Sequence, residues 1–180
     1  LSFSAFFNFT SQIGRGYKYK KDSEKNEIRE LTTQALSPAY FQLGSGFLWK
    51  KSEKLWLNYS PIASRLILVS KRFTENLRDN QKYFGVEKSK SSRYELGANL
   101  TFHSEGLLFE NINYKQDLKL FSNYLENFSN IDLDYLVQID FDINPLLSTQ
   151  LIFQLIYDDN AISRLQVREV FGIGAQLKLN

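Results

Sequence analysis

Apolar and polar residues alternate along most of this chain, and the alternation is cleanest from 131 to 143. There Ile131, Leu133, Tyr135, Val137, Ile139, Phe141 and Ile143 hold the odd positions. Asp132, Asp134, Gln138, Asp140 and Asp142 hold the even ones, with Leu136 the exception. A period of two is the signature of a β-strand with one apolar and one polar face. At ~3.3 Å per residue this stretch reaches roughly 40 Å, about twice an ordinary strand. Tilted, it is long enough to cross a hydrocarbon layer about 30 Å thick.

The same period predicts strands over 1–10, 39–50, 55–69, 93–103, 108–121, 147–157 and 166–179. The third is muddier, and Pro61 within it predicts a bulge. The Lys- and Glu-rich stretch 14–33 reads as a solvated loop, and 71–92, 122–130 and 158–165 read as further connections. Turns are expected near 51–54, at Ser104-Glu105-Gly106 and at Asn144-Pro145. Long and short connections therefore alternate between about eight strands, and no helical pattern is present. The expected fold is all-β: an antiparallel up-and-down transmembrane β-barrel, one domain over 1–180, with short periplasmic turns and longer extracellular loops. Both visible termini would then be periplasmic, in the cell outer membrane.

Alternation alone does not say which face points out, since a soluble lipocalin-like barrel turns its apolar face inward around a ligand. Strand length favours lipid outside, and so do the aromatics expected at strand ends: Trp49, Trp56, Tyr94, Phe102 and Tyr157. Gly174, Leu177 and Leu179 near the end of the chain resemble the membrane-insertion signal read by the barrel assembly machinery. Asn180 stands where a terminal aromatic is more usual.

Composition narrows the partners. Hydrophobic residues make up 43% and aromatics 15% of the 180 residues, with a mean hydropathy of −0.34. No apolar run approaches the ~20 residues of a membrane helix, so spanning would fall to strands. A net charge of +2 gives no reason to expect nucleic acid. Cysteine is absent, which excludes disulfides and thiolate metal sites. The chain opens at Leu1 inside a strand pattern without an export signal, so a processed or incomplete N-terminus is expected.

Several segments resemble an uncharacterised outer-membrane barrel family of Bacteroidota known only as a domain of unknown function. They are Ser37-Pro38-Ala39-Tyr40 with Leu43-Gly44, Tyr94-Glu95-Leu96-Gly97-Ala98 and Phe121-Ser122-Asn123-Tyr124-Leu125. Asn130-Ile131-Asp132, Leu155-Ile156-Tyr157-Asp158-Asp159 and Phe171-Gly172-Ile173-Gly174 complete the set. The resemblance implies location and fold, and no activity. It also implies further strands before residue 1, about twelve in a complete barrel of which this chain would be the C-terminal part.

Candidate chemistry lies on the polar stripe. Asp132, Asp134, Asp140 and Asp142 face the same way, and Lys115, Asp117 and Lys119 line the preceding strand. Arg93 and Glu95, Arg168 and Lys178 add charge from other strands. Two explanations compete: a cation-selective or substrate-binding channel wall, and an ion-pair network filling a narrow barrel; the network is preferred. Within it Lys119 is expected to pair with Asp132. His103, the single histidine, reads as an interfacial turn residue; with Ser104 and Glu105 beside it the alternative is a lipid acyltransferase or phospholipase, but alternating side chains do not converge as a triad requires. Asp158-Asp159-Asn160 could hold calcium but reads more simply as a turn. Gly44-x-Gly46 and Gly172-x-Gly174 precede no helix and are not phosphate cradles.

The expected function is a non-enzymatic integral outer-membrane protein, a structural or accessory subunit of a larger envelope complex or a narrow pore. Its partners would be outer-membrane lipid, other outer-membrane or periplasmic proteins and, during insertion, the assembly machinery, with no metal or cofactor. A membrane-embedded lipid-modifying enzyme and a soluble lipocalin-like carrier are the alternatives.

Overall fold

A computed structural model describes residues 1–21, 27–126, 128–158 and 162–175. Its strands in chain order are β1 (Ser2–Ser11), β2 (Gly16–Lys21), β3 (Glu27–Thr33), β4 (Ala39–Ser52), β5 (Leu55–Leu68) and β6 (Lys82–Tyr83). They continue with β7 (Val86–Glu87), β8 (Ser92–Phe109), β9 (Ile112–Asn123), β10 (Ile131–Asn144), β11 (Leu147–Asp158) and β12 (Ile162–Ala175). Among the described residues the only helical piece is a single 3₁₀ turn, Lys71–Phe73.

Eight strands form one antiparallel sheet in the order β1-β4-β5-β8-β9-β10-β11-β12. Each pairs with the next of these eight in chain order, the β2–β3 and β6–β7 hairpins standing apart, so the sheet is an up-and-down meander. Among the described residues the sheet is not closed: β1 pairs only with β4 and β12 only with β11. Tight turns at 53–54, 110–111 and 145–146 join its strands at one end. The connections 12–38, 69–91 and 124–130 lie at the other.

The two faces of the sheet are unlike. Phe3 and Phe7 on β1, Phe47 and Trp49 on β4, Leu151 on β11, and Phe171 and Ile173 on β12 are exposed large hydrophobics. The opposite face carries Glu95, Asn99, His103 and Asn123, all buried. In a water-soluble domain the hydrophobic effect arranges these classes the other way round. Among the described residues the one cluster of buried apolar side chains is small. Ile67, Val69 and Val86, with Tyr40, Tyr83 and Phe84 against them, sit where the long connections fold over the end of β5.

The sheet curls around its polar face. Gln42 of β4 and Asp158 of β11 line the same recess of about 180 Å³. Those strands are five steps apart in the sheet order, and a flat sheet at ~4.8 Å per step would separate them by ~24 Å. Side-chain hydrogen bonds skip strands in the same sense. Ser4 of β1 donates to Asn58 of β5 at 2.7 Å, and Arg65 of β5 reaches Asp132 of β10.

The bulge expected at Pro61 is present. Ser60 faces Asn99 and Ala63 faces Gly97, so Pro61 and Ile62 together stand against the single residue Ala98. Two residues against one reverse the alternation. Trp56, Asn58 and Ser60 point to the polar face before it, and Ala63, Arg65 and Ile67 after it. Gly46 of β4 admits the bulge: a Cβ there would lie 2.0 Å from the Tyr59 carbonyl oxygen.

Other expectations need correction. The chain does not turn at Ser104-Glu105-Gly106. β8 runs through it to Phe109, and the turn falls at Glu110-Asn111. Gly106 serves a packing role instead, because the Tyr114 ring lies 3.1 Å from where its Cβ would stand. The charged stretch 14–33 is not an open loop but carries the β2–β3 hairpin. Its charges pair across strands, Lys20 with Glu30 at 2.5 Å, and the Arg29 guanidinium stacks 3.5 Å over the Tyr17 ring. β12 begins at Ile162 rather than Gln166.

Candidate functional site: the polar face and its recesses

The polar stripes of β5, β8, β9 and β10 meet in an ion-pair network at the end that carries the long connections. Arg65 is its centre. Its Nε donates to Glu95 Oε2 and its Nη2 to Asp132 Oδ2, each at 2.5 Å. The guanidinium also lies 4.3 Å from the centre of the Phe121 ring, in cation–π range. Glu95, fully buried, is shared with Arg93, whose Nε stands 2.8 Å from Glu95 Oε1. Arg93 then reaches outward, Nη1 donating to the Gly85 carbonyl at 3.0 Å and Nη2 to Glu126 at 2.8 Å. The network thus ties the sheet to two of the long connections. Nearby, the Tyr83 phenol donates to the Thr32 carbonyl at 2.5 Å, and burial pushes its pKa above the ordinary tyrosine value.

Toward the tight turns the polar stripe holds a second set of contacts. His103 Nδ1 donates to Asp117 at 2.7 Å, and the imidazole stacks on Trp56 with ring centres 5.3 Å apart. Asp140 accepts from Gln138 at 2.8 Å and from Gln150 at 2.7 Å. Gln154 donates to Asp134 at 2.7 Å. Carboxylates that accept amide hydrogens in this way are held in place without a neutralising cation.

Among the described residues, recesses open on this face at two places. The smaller, described above, is walled by Arg65, Phe121, Asp132, Asp134 and Asp158 together with Gln42. The larger, about 340 Å³, lies toward β1 and is walled by Phe6, Phe7, Asn8, Gln42, Trp56, Asn58, Asn99, Thr101 and Lys119. Gln42, Asn99 and Lys119 border both.

No family model, curated protein or solved structure matches this chain.

The candidates named from sequence sort unevenly. Arg93, Glu95, Asp117, Asp132, Asp134 and Asp140 join the hydrogen-bonded network. Lys115 stands 4.0 Å from Asp117, and Asp142 meets Asn113 at 3.4 Å on the exposed rim. Arg168 lies opposite Gln154 in the β11–β12 register, and Gly174 opposite Ser148. Lys178, Leu177 and Leu179 lie outside the described residues, as do Asp159 and Asn160 of the calcium candidate.

The expected Lys119–Asp132 pair does not form. The register sets Asp132 opposite Phe121 and Lys119 opposite Asp134, and Asp132 is taken by Arg65. His103 is no turn residue but part of the polar wall. Ser104 leaves β8 on the other face, where its hydroxyl meets Tyr114 at 3.0 Å. Trp56 was expected among the outward aromatics; the β5 phase turns it inward onto His103. Arg65, Gln42 and Asn99 were missed. The phase reversal at Pro61 was the one signal that could have shown Arg65 facing the acids.

Proposed function

We propose that this sheet is the wall of an outer-membrane β-barrel, with its apolar face toward lipid and its polar face toward the lumen. Further strands pair with the free edges of β1 and β12 in the closed barrel. The observation that carries the reading is the exposure of large apolar side chains on strands across the sheet while charged and amide side chains are buried on its other face. Lipid is the solvent in which that arrangement is stable, since burying carboxylates and guanidiniums is unfavourable unless they are paired. Free strand edges are incompatible with hydrocarbon, where each unsatisfied backbone group costs several kcal/mol; closure follows from the membrane assignment.

Within that reading the barrel is non-enzymatic and structural, an accessory subunit of a larger envelope assembly rather than a wide pore. The Arg65–Asp132 pair supports this, because it reaches over the polar face from β5 to β10 beneath the long connections, where a wide water-filled channel would need open space. The opposed faces of Ser104 and His103 give no nucleophile-and-base arrangement to set against it.

The two tryptophans make the test direct. Trp49 is exposed on the apolar face and Trp56 is stacked on His103 on the polar one. Single-tryptophan proteins, Trp49→Phe and Trp56→Phe, are reconstituted with phospholipids brominated along their acyl chains. Bromine is expected to quench Trp49 strongly and Trp56 weakly. Equal quenching, or none at Trp49, removes the membrane reading. Planar-bilayer recordings are expected to show no large steady conductance; a wide, stable pore would refute the structural role.

A further inference from the structure

We propose that the larger recess on the polar face is a binding subsite for a sugar unit of an oligosaccharide. Its volume of about 340 Å³ falls within the ~300–1,000 Å³ range of small-molecule sites. Its lining sets the amides of Asn8, Gln42, Asn58 and Asn99 and the Thr101 hydroxyl beside the rings of Phe6, Phe7 and Trp56, with Lys119 the one formal charge, the mixed polar and aromatic surface that a sugar site presents.

Sugar hydroxyls both donate and accept, so a glycan site needs both kinds of partner together with an aromatic surface for the sugar's C–H faces. A side-chain amide supplies both in one group. Three hydrogen bonds leave this wall half used. Asn58 accepts from Ser4 through Oδ1, which leaves its NH₂ to donate. Gln42 donates to Asn99 at 3.4 Å, which leaves its carbonyl oxygen to accept. Asn99 donates to the Thr101 hydroxyl oxygen at 3.1 Å, which leaves that hydroxyl's hydrogen. Lys119 has no hydrogen-bond or ion-pair partner among the described residues. Donors and an acceptor therefore converge on one space from four strands, those of β4, β5 and β8 already held by bonds to their neighbours and Lys119 of β9 free to meet the ligand.

The aromatic surface is Trp56. His103 stacks on this indole but is not part of the recess wall, so the recess meets the part of the ring that His103 leaves uncovered. The negative face of an indole attracts the weakly positive C–H bonds of a pyranose ring, as it does the edge of another aromatic. A lumen whose polar residues served only to meet water would not need an aromatic ring among them.

The assignment rests on the polar face being the lumen, and Trp56 reports on the site separately from the membrane. In residues 1–180 carrying Trp49→Phe, Trp56 is the sole tryptophan. Its emission is followed during titration with maltotriose, with trigalacturonate as the acidic sugar and trialanine as the non-sugar control. A saturable change with either sugar is expected, and none with trialanine. Gln42→Ala and Asn58→Ala, each checked for a retained β-sheet circular-dichroism spectrum, are expected to weaken it about tenfold. Lys119→Ala should weaken trigalacturonate more than maltotriose.

No change with either sugar up to about ten times the ~1 mM constant of a weak ligand overturns the proposal. So does a response that trialanine matches, or one that both alanine variants leave intact. Failure here with Trp49 still quenched by brominated lipid removes the sugar site and leaves the membrane reading standing. Loss of both removes the lumen itself.

Discussion

Arg65 offers the sharpest perturbation, because two carboxylates and a ring depend on it. Arg65→Met keeps much of the aliphatic volume and the contact with Phe121 but removes both charge-assisted hydrogen bonds. Glu95, fully buried, keeps Arg93 at 2.8 Å. Asp132, whose side chain is only 15% exposed, loses its ion-pair partner. Removing one member of a buried pair and leaving the other costs ~3–5 kcal/mol, most of it the desolvation of the orphaned charge. With Glu95 still paired, the lower end, about 3 kcal/mol, applies. With a urea dependence of about 1–3 kcal/mol per molar, the unfolding midpoint should fall by about 1–3 M. The assay is reversible urea unfolding from detergent micelles, followed by tryptophan emission. The double variant Arg65→Met/Asp132→Asn should recover a large part of the loss, since the orphaned charge is then gone. An unchanged midpoint in Arg65→Met, or a double variant as unstable as the sum of the single ones, would refute the central place given to this network.

Three further outcomes follow from local geometry. Gly97→Ala would place a Cβ 1.9 Å from the Ser122 carbonyl oxygen, a backbone atom, whereas Gly172→Ala meets nothing within 4 Å. The first should cost at least ~1–3 kcal/mol by overpacking and the second little, both read as urea midpoints. Ser60 Oγ is buried without a hydrogen-bond partner, so Ser60→Ala should leave stability unchanged or raise it, as differential scanning calorimetry would show. In the β2–β3 hairpin the hydrogen bond and charge of Lys20 hold the Glu30 carboxyl below the usual glutamate range. A depressed folded-state pKa means that the pairing stabilises above the unfolded value and is lost as pH falls through the folded one. Carbon-detected NMR titration should show Lys20→Gln moving Glu30 upward.

Much of the sheet is legible in the sequence, because a half-exposed strand writes its period directly. β4, β10 and β11 match their alternating stretches to within a few residues, and each tight turn beyond β4 and β10 is where polar residues break the period. What is hidden is whatever depends on phase or register. At Pro61-Ile62 one extra residue exchanges the faces of β5, so the alternation before the bulge does not tell that Arg65 stands on the polar face. At Gly106 the sequence looks like a turn, but the glycine is there for the ring of Tyr114 on the next strand. Lys119 and Asp132 are both on the polar stripe, yet a register two residues away from the assumed one gives Asp132 to Arg65. The β2–β3 hairpin is concealed for another reason. Its stability comes from cross-strand charges and a cation–π contact, and a dense charge run usually signals solvation. Closure of the sheet is a property of strand edges, on which side-chain patterning is silent.

The measurement that tests the central claim most directly uses the natural absence of cysteine. Single cysteines are placed at consecutive positions 138–141 on β10 and at 150–153 on β11, in protein reconstituted into phospholipid vesicles. Each is exposed to a water-soluble, membrane-impermeant maleimide. Labelling should alternate, with Gln138, Asp140, Gln150 and Ile152 positions reactive and Ile139, Phe141, Leu151 and Phe153 positions protected. The reverse alternation, or uniform labelling of both sets, would contradict a sheet that turns its apolar face to lipid and its charges to water.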